Sequence, residues 1–262
     1  MSCLPQHGRV ECTACFKTSP VTFDTTRQTE GIWQITANPL AWGNPEGEIV
    51  VLGFSKGPAA GGASLSNKPH DEIAYYTKRL NVGKILAHVG LLEKGDKSSL
   101  KNSVDKAIAD PNGRFHFGSL IRCKVEQLNS KGEWVGTGGG MLDKFVATDF
   151  GEKVSQECSS RFLGSLSPKT KLVIMFGMGT KQNYVRESYK LFQYARPSKW
   201  EWLIKDISYT DNKITVVHVE HFAIQGAHLS NWLGEKPDKR NKLGHEAKLS
   251  VQHALGISLL ER

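Results

Sequence analysis

Four short apolar runs constrain this chain more than anything else in it: residues 48–53, 115–123, 171–177 and 213–220. Each has about the length of one strand and is rich in β-branched or aromatic residues. None shows the strict apolar–polar alternation of a half-solvated strand, and this is how a strand buried on both faces reads. Stretches of roughly helical apolar spacing separate them: residues 71–92, 149–166, a helix opened by Gly177 and Gly179 and running to about Tyr194, and 239–255. In the first of these Asn81 and Gly83 interrupt the pattern, so it reads as one helix or two. Strands that alternate with helices predict a mainly parallel central sheet covered on both faces, a three-layer α/β/α sandwich.

Two further segments qualify that outline. Residues 203–209 and 213–220 flank Thr-Asp-Asn and read as a hairpin whose second strand is also the fourth core strand. Residues 124–150 have weak periodicity and carry Gly-Thr-Gly-Gly-Gly at 136–140, so they read as an insertion or loop. No internal repeat or second domain is visible, and residues 1–262 read as one domain with an N-terminal Cys-x-x-Cys segment.

A chain of 262 residues can bury a sizeable core, and 39% hydrophobic with 23% charged residues places it among ordinary globular proteins. It has no apolar run of membrane-spanning length, and Met-Ser-Cys-Leu-Pro-Gln-His lacks the basic-then-apolar pattern of a signal peptide. Five cysteines, an odd number, argue against a secreted disulfide framework, so the expected compartment is the cytoplasm with thiols reduced. The formal net charge of +8 favours polyanionic partners, nucleic acid first among them.

The cysteines are placed suggestively. Cys12-Thr-Ala-Cys15 lets two thiolates approach one metal from a single turn, Cys123 ends the second apolar run, and Cys158 opens Cys-Ser-Ser-Arg-Phe-Leu on a helix. All-thiolate ligation suits zinc or an iron–sulfur cluster. Spacing alone leaves open whether Cys123 and Cys158 join such a site or are ordinary buried thiols.

In an open parallel sheet the ligand crevice lies beyond the carboxyl ends of the strands. Those ends are Gly53-Phe54-Ser55-Lys56, Ser119 to Cys123, Gly177-Met178-Gly179, and His218-Val219-Glu220-His221-Phe222-Ala223. In that order they resemble the uracil-DNA glycosylase superfamily. Its first motif, an apolar strand and glycine leading to Pro-Gly, is matched by Val-Val-Leu-Gly-Phe-Ser-Lys-Gly-Pro at 50–58, and its closing His-Pro-Ser by His221-Phe222-Ala223. The iron–sulfur branch adds an N-terminal Cys-x-x-Cys and a strand ending in Asn-x-x-Lys-Cys. It then has a helix beginning with Cys and a Pro-led apolar strand ending in glycine. The matches are Cys12 and Cys15, Ser119-Leu-Ile-Arg122-Cys123, Cys158-Ser-Ser-Arg-Phe-Leu, and Pro168 leading to Gly177. The resemblance runs from about Cys12 to the C-terminus, outside residues 20–45 and 124–150.

The resemblance implies a 4Fe–4S cluster on Cys12, Cys15, Cys123 and Cys158, with Cys3 outside it. It further implies a protein, most simply a monomer, that binds single- or double-stranded DNA away from any membrane and hydrolyses the N-glycosidic bond of a damaged or deaminated base. The same resemblance makes His221 a donor to the departing base and Ser55 a group that orients water. Phe54 and Ser119 become base contacts, and Lys56, Gln225, His228, Lys239 and Arg240 become DNA contacts. The chain departs from the branch where Phe54 and Ser55 replace its carboxylate and where Ser119 replaces its base-reading asparagine. These departures imply weak or absent activity on uracil. They also keep two other readings in view: a noncatalytic nucleic-acid or nucleotide binder on the same fold, and, were the cysteine match accidental, a zinc-stabilised protein with no nucleic-acid role.

Overall fold

A computed structural model describes residues 4–56, 68–136, 141–164, 166–224 and 228–257. The N-terminal part contributes β1 (Gly8–Arg9), β2 (Arg27–Glu30), β3 (Trp33–Thr36), β4 (Leu40–Gly43) and β5 (Ile49–Gly53). Helices α1 (His70–Ile73), α2 (Arg79–His88) and α3 (Lys97–Ala109) lead to β6 (Phe115–Ser119), β7 (Lys124–Leu128) and β8 (Trp134–Gly136). Next come α4 (Leu142–Val146), α5 (Asp149–Leu163), β9 (Leu172–Phe176) and α6 (Asn183–Ala195). The last elements are β10 (Glu201–Ile204), β11 (Ser208–Thr210), β12 (Thr215–Val219), α7 (His228–Trp232) and α8 (Lys239–Ala254).

The main sheet has eight strands in the order β1-β4-β6-β5-β9-β12-β11-β10. Its centre, β6-β5-β9-β12, is parallel, and these are the four apolar runs of the sequence. Every residue of all four is buried, as strands covered on both faces must be. Helices flank the sheet, with α2 packed on α3, α5 on α6 and α8 on β12, giving the three-layer α/β/α architecture. The four parallel strands finish level: Gly53 lies opposite Ser119, Leu52 opposite Met175, and Val219 opposite Phe176. No helix among the described residues is long and apolar enough to cross a membrane.

Three local expectations need correction. Residues 124–136 are not loop: β7 and β8 belong to a second, antiparallel sheet ordered β2-β3-β7-β8. Its periodicity is hidden because a carboxylate, Glu126, occupies a buried position. Gln34 Nε2 at 3.1 Å, Thr36 Oγ1 at 3.1 Å and Lys124 Nζ at 2.6 Å all donate to it, which makes burial of the charge tolerable. Ile35 and Val125, on neighbouring strands, join one contiguous core with the main sheet. The helical stretch 71–92 does break, but at Tyr75, held at φ +53°, and not at Asn81 or Gly83. Gly83 lies inside α2, where a Cβ would come within 2.8 Å of the Leu100 carbonyl on α3. Finally, residues 203–209 do not form one strand. Asp206 at φ +60° turns the chain between β10 and β11, while Asp211 Oδ1 accepts from the Lys213 and Ile214 amides to make the expected β11–β12 turn.

Candidate active site and cysteine centre

Because the parallel strands end level, Ser119, Gly53-Phe54, Gly177 and the residues after Val219 form a row along one edge of the sheet. The chain beyond β6 stays with this row, since Leu120 N donates to Gly53 O at 2.8 Å and Ile121 N to Phe54 O at 2.9 Å. Ser119 and Phe54 are buried and Ser55 is half-buried. Phe54 lies 6.0 Å, centroid to centroid, from Tyr184, so it packs along the row and does not face outward. Gly177, at φ +101°, joins the two halves: a Cβ there would stand 3.5 Å from both the Tyr184 ring and His221 Cδ2.

His221 sits at the end of this row in a defined tautomer. The Ala223 amide donates to Nδ1 at 3.1 Å, which leaves the ring proton on Nε2. Burial lowers its pKa to about 4, so it is a neutral donor at physiological pH. Asn81 Nδ2 donates to Phe222 O at 2.8 Å and holds the loop from α2, and Phe222 stacks on the His221 ring at 4.4 Å. His218, one pleat back, is a core residue whose Nδ1 and Nε2 lie 3.1 Å from Gly177 O and 3.4 Å from Tyr209 Oη.

These two rings make a prediction about stability. Burial holds His218 and His221 each at about 4 in the folded chain, below the ordinary value of about 6.5 in the unfolded one. Between those values the unfolded chain binds protons that the folded chain refuses, so stability falls as pH drops through the window and is insensitive to these groups above it. The fully buried His218 alone accounts for on the order of 3 kcal/mol at the acid end. Thermal melts should show an acid slope from about pH 6.5 downward that is shallower in His218→Gln; an unchanged slope in that variant would contradict the assignment.

Tyr75 was not singled out in the sequence. Its ring meets Phe117, Phe176 and Phe222 edge-on at 6.1, 5.8 and 4.9 Å, and its buried hydroxyl has no hydrogen-bond partner among the described residues. The left-handed backbone of a bulky residue was its only possible signature, and sequence does not display that.

The four predicted cysteines lie near enough to act electrostatically on one another. The N-terminal segment is pinned first: β1 pairs with β4, Val10 N donates to Pro39 O, and His7 Nδ1 accepts from Gly43 N. Cys12 follows directly, and Cys15 lies in the turn closed by Phe16 N to Thr13 O at 3.0 Å. Cys123 and Cys158 are buried, the latter on the inner face of α5. The Cys15 thiol donates to Cys158 sulfur, which pulls Cys158 below and pushes Cys15 above the usual thiol range; the Arg122 backbone N–H also bonds Cys158. Burial pushes Cys123 up to about 12, and Cys12 acts electrostatically on both Cys15 and Cys123. A metal bound by these thiols would displace their protons. The donor set is all sulfur and suits zinc or an iron–sulfur group. Among the described residues, His7, His70 and Asp71 offer three metal-capable atoms all within 4.8 Å of one another, and no three of the sulfurs do. Tetrahedral zinc would hold its sulfurs about 3.8 Å apart, whereas a four-iron cube spreads them by on the order of 6 Å. The residues present supply the four thiolates that either group takes.

Two cations border the thiols. Arg122, immediately before Cys123, is 1% exposed and Lys56 is 4% exposed. Burial lowers Lys56 to about 7 and Arg122 to about 10. Lys56, expected to touch DNA, is thus turned inward. Arg240, also expected at DNA, pairs with buried Glu220, whose other oxygen accepts from the His221 amide at 3.0 Å. Lys239 and His228 are exposed as a DNA contact requires, and Gln225 lies outside the described residues.

No protein-family model matches this chain, and no curated protein sequence matches it either. Among solved structures it is similar to the crystal structure of wild-type Pedobacter heparinus SMUG2, with a TM-score of 0.39 and 11% identity over 81% of this chain and 77% of that one. At that distance the description of the fold rests on the strand order itself.

Proposed function

We propose that this chain hydrolyses the N-glycosidic bond of a damaged or deaminated base in DNA, with a 4Fe–4S group held by Cys12, Cys15, Cys123 and Cys158. One observation carries the catalytic part: His221 is neutral, has Nδ1 occupied, and keeps an Nε2 proton to donate at the carboxyl edge of the parallel strands. An extruded base leaves C1′ with the bonding electron pair, and negative charge gathers on its exocyclic oxygen. A preorganised donor at that oxygen stabilises the departure, while water adds to the oxocarbenium-like sugar and its proton neutralises the base. Residues 53–56 supply no carboxylate, so electrostatic stabilisation by His221 and backbone amides carries the step. Ser55 orients the water, and Phe54 and Ser119 wall the base. The cluster, when bound, staples the N-terminal segment to β6 and α5. Lys239, His228 and the neighbouring exposed Lys236 and Lys242 supply charge for the phosphates.

A noncatalytic binder on the same fold is favoured by Glu220. This carboxylate adjoins His221 but is held by Arg240 and a backbone amide, so it is not free to act as a base. Duplexes and single strands carrying uracil, hypoxanthine, xanthine or oxidised bases, assayed for binding and base release over a range of salt, separate the two. Salt-sensitive binding with release of one base supports the enzyme, and binding with no release supports the binder. Absence of binding at low salt to every substrate would sink both.

A further inference from the structure

We propose that Arg122 and Lys56 are resident counter-cations, a pair of positive charges built into the core to balance a doubly negative sulfur-ligated group, and that Arg122 raises that group's reduction potential. The inference rests on the reading of the cysteine centre given above and concerns what this chain's own side chains do toward it.

Burying a cation without a partner costs several kcal/mol, yet the chain does so twice, with Arg122 beside Cys158 and Cys12 and Lys56 beside Cys123. Among the described residues neither cation forms an ion pair with a carboxylate. Among the described residues Arg122 makes one side-chain hydrogen bond, Nη2 to His116 Nε2 at 3.3 Å, while its Nε and Nη1 and the Lys56 Nζ have no hydrogen-bond acceptor. Space for the guanidinium is reserved in the sheet, because a Cβ on Gly118 would lie 1.9 Å from Nη1. Its face rests 5.0 Å from the ring of Phe162, one turn of α5 beyond Cys158.

The anionic neighbours are sulfur. Arg122 acts on Cys158 and Cys12, with the phenol of Tyr75 nearby, and Lys56 acts on Cys123. Asp24 also lies within reach of Lys56, but it is already paired with Arg9 at 2.6 Å, whose charge opposes it. A four-iron cluster in its resting state, ligated by four thiolates, carries a net double negative charge. Two cations match it, and Arg122 Nε and Nη1 and Lys56 Nζ are buried donors without an acceptor, the kind of N–H group that steadies partly negative sulfur. One-electron reduction adds further negative charge, so a fixed cation beside the group favours the reduced form. Lys56 follows Phe54 and Ser55 directly, so neutralising it also holds the loop that walls the active-site row.

The test uses full-length protein purified without oxygen, with iron and labile sulfide counted and the midpoint potential measured by spectroelectrochemistry. Arg122→Gln should lose most of its iron during purification, or keep it with a more negative potential. Arg122→Lys should recover both, and Lys56→Met should shift the potential in the same direction by less. Lys56→Met also keeps the idea testable if Arg122→Gln fails to fold. Wild-type iron content and potential in Lys56→Met and in whichever Arg122 variants fold would overturn the counter-cation role while leaving the cluster reading intact. A wild-type protein free of iron would overturn both.

Discussion

With the proposed cluster in place, Cys158→Ser is expected to abolish the brown colour of concentrated protein and to cut iron from about four atoms per chain to a small residue, because removal of one thiolate from a four-sulfur set leaves an open, hydrolysable corner. The same holds for Cys12, Cys15 and Cys123, whereas Cys3→Ser should keep the full complement. Stability should fall by several kcal/mol, since the free energy of binding a structural metal group is folding free energy in sites of this kind. The loss should be local at first: the turn carrying Cys12 and Cys15 would become cleavable by protease while the parallel strands stay protected. Iron assay, absorbance near 400 nm (an approximate wavelength for this cluster class) and limited proteolysis report on the three parts. Zinc in place of iron, or full iron in two or more single variants, would remove the cluster assignment.

His221→Ala should lower the rate of base release by about a hundredfold, the usual loss when one preorganised donor is removed from a developing oxyanion. Binding of substrate DNA should change little, because the contact is made in the transition state more than in the ground state. With the ring neutral down to about pH 4, its titration should leave no step in the rate between pH 5 and 8. Activity on uracil should be the weakest of the panel, since Ser119 cannot present the paired donor and acceptor of an amide side chain. Single-turnover kinetics on the preferred duplex decide this. A rate within about threefold of wild type would show that His221 is not the donor, given the size of such effects.

The central strands were legible because burial on both faces leaves an unbroken apolar run, and the edge that they form followed from parallel topology. The second sheet was not, because Glu126 and Gln34 place polar groups in a buried, mutually bonded network that erases the alternation. α3 went unread because its inner face is only Leu100, Val104 and Ile108 in an otherwise polar helix. The four cysteines were visible as residues, but their neighbours were misjudged. A lysine after a strand reads as a phosphate contact and an arginine as a variant of a motif, and neither announces that its charge will be buried. Gly118 was the nearest thing to a signal: a glycine inside an apolar strand marks a place where something must approach closely.

The order of strands also governs how the chain can be made. β4 and β5 are consecutive in sequence but not neighbours in the sheet, for β6 inserts between them. On the ribosome both strands therefore emerge with an open edge, and the segment that closes them, Phe115–Ser119, arrives only after two longer helices have been synthesised. A nascent chain halted before that point presents β5 without a partner and β4 paired only with the short β1, almost wholly apolar edges of the kind that recruit other chains. Truncations that end before β6 should collect as aggregates, and this stretch of synthesis is where the growing polypeptide depends most on a chaperone.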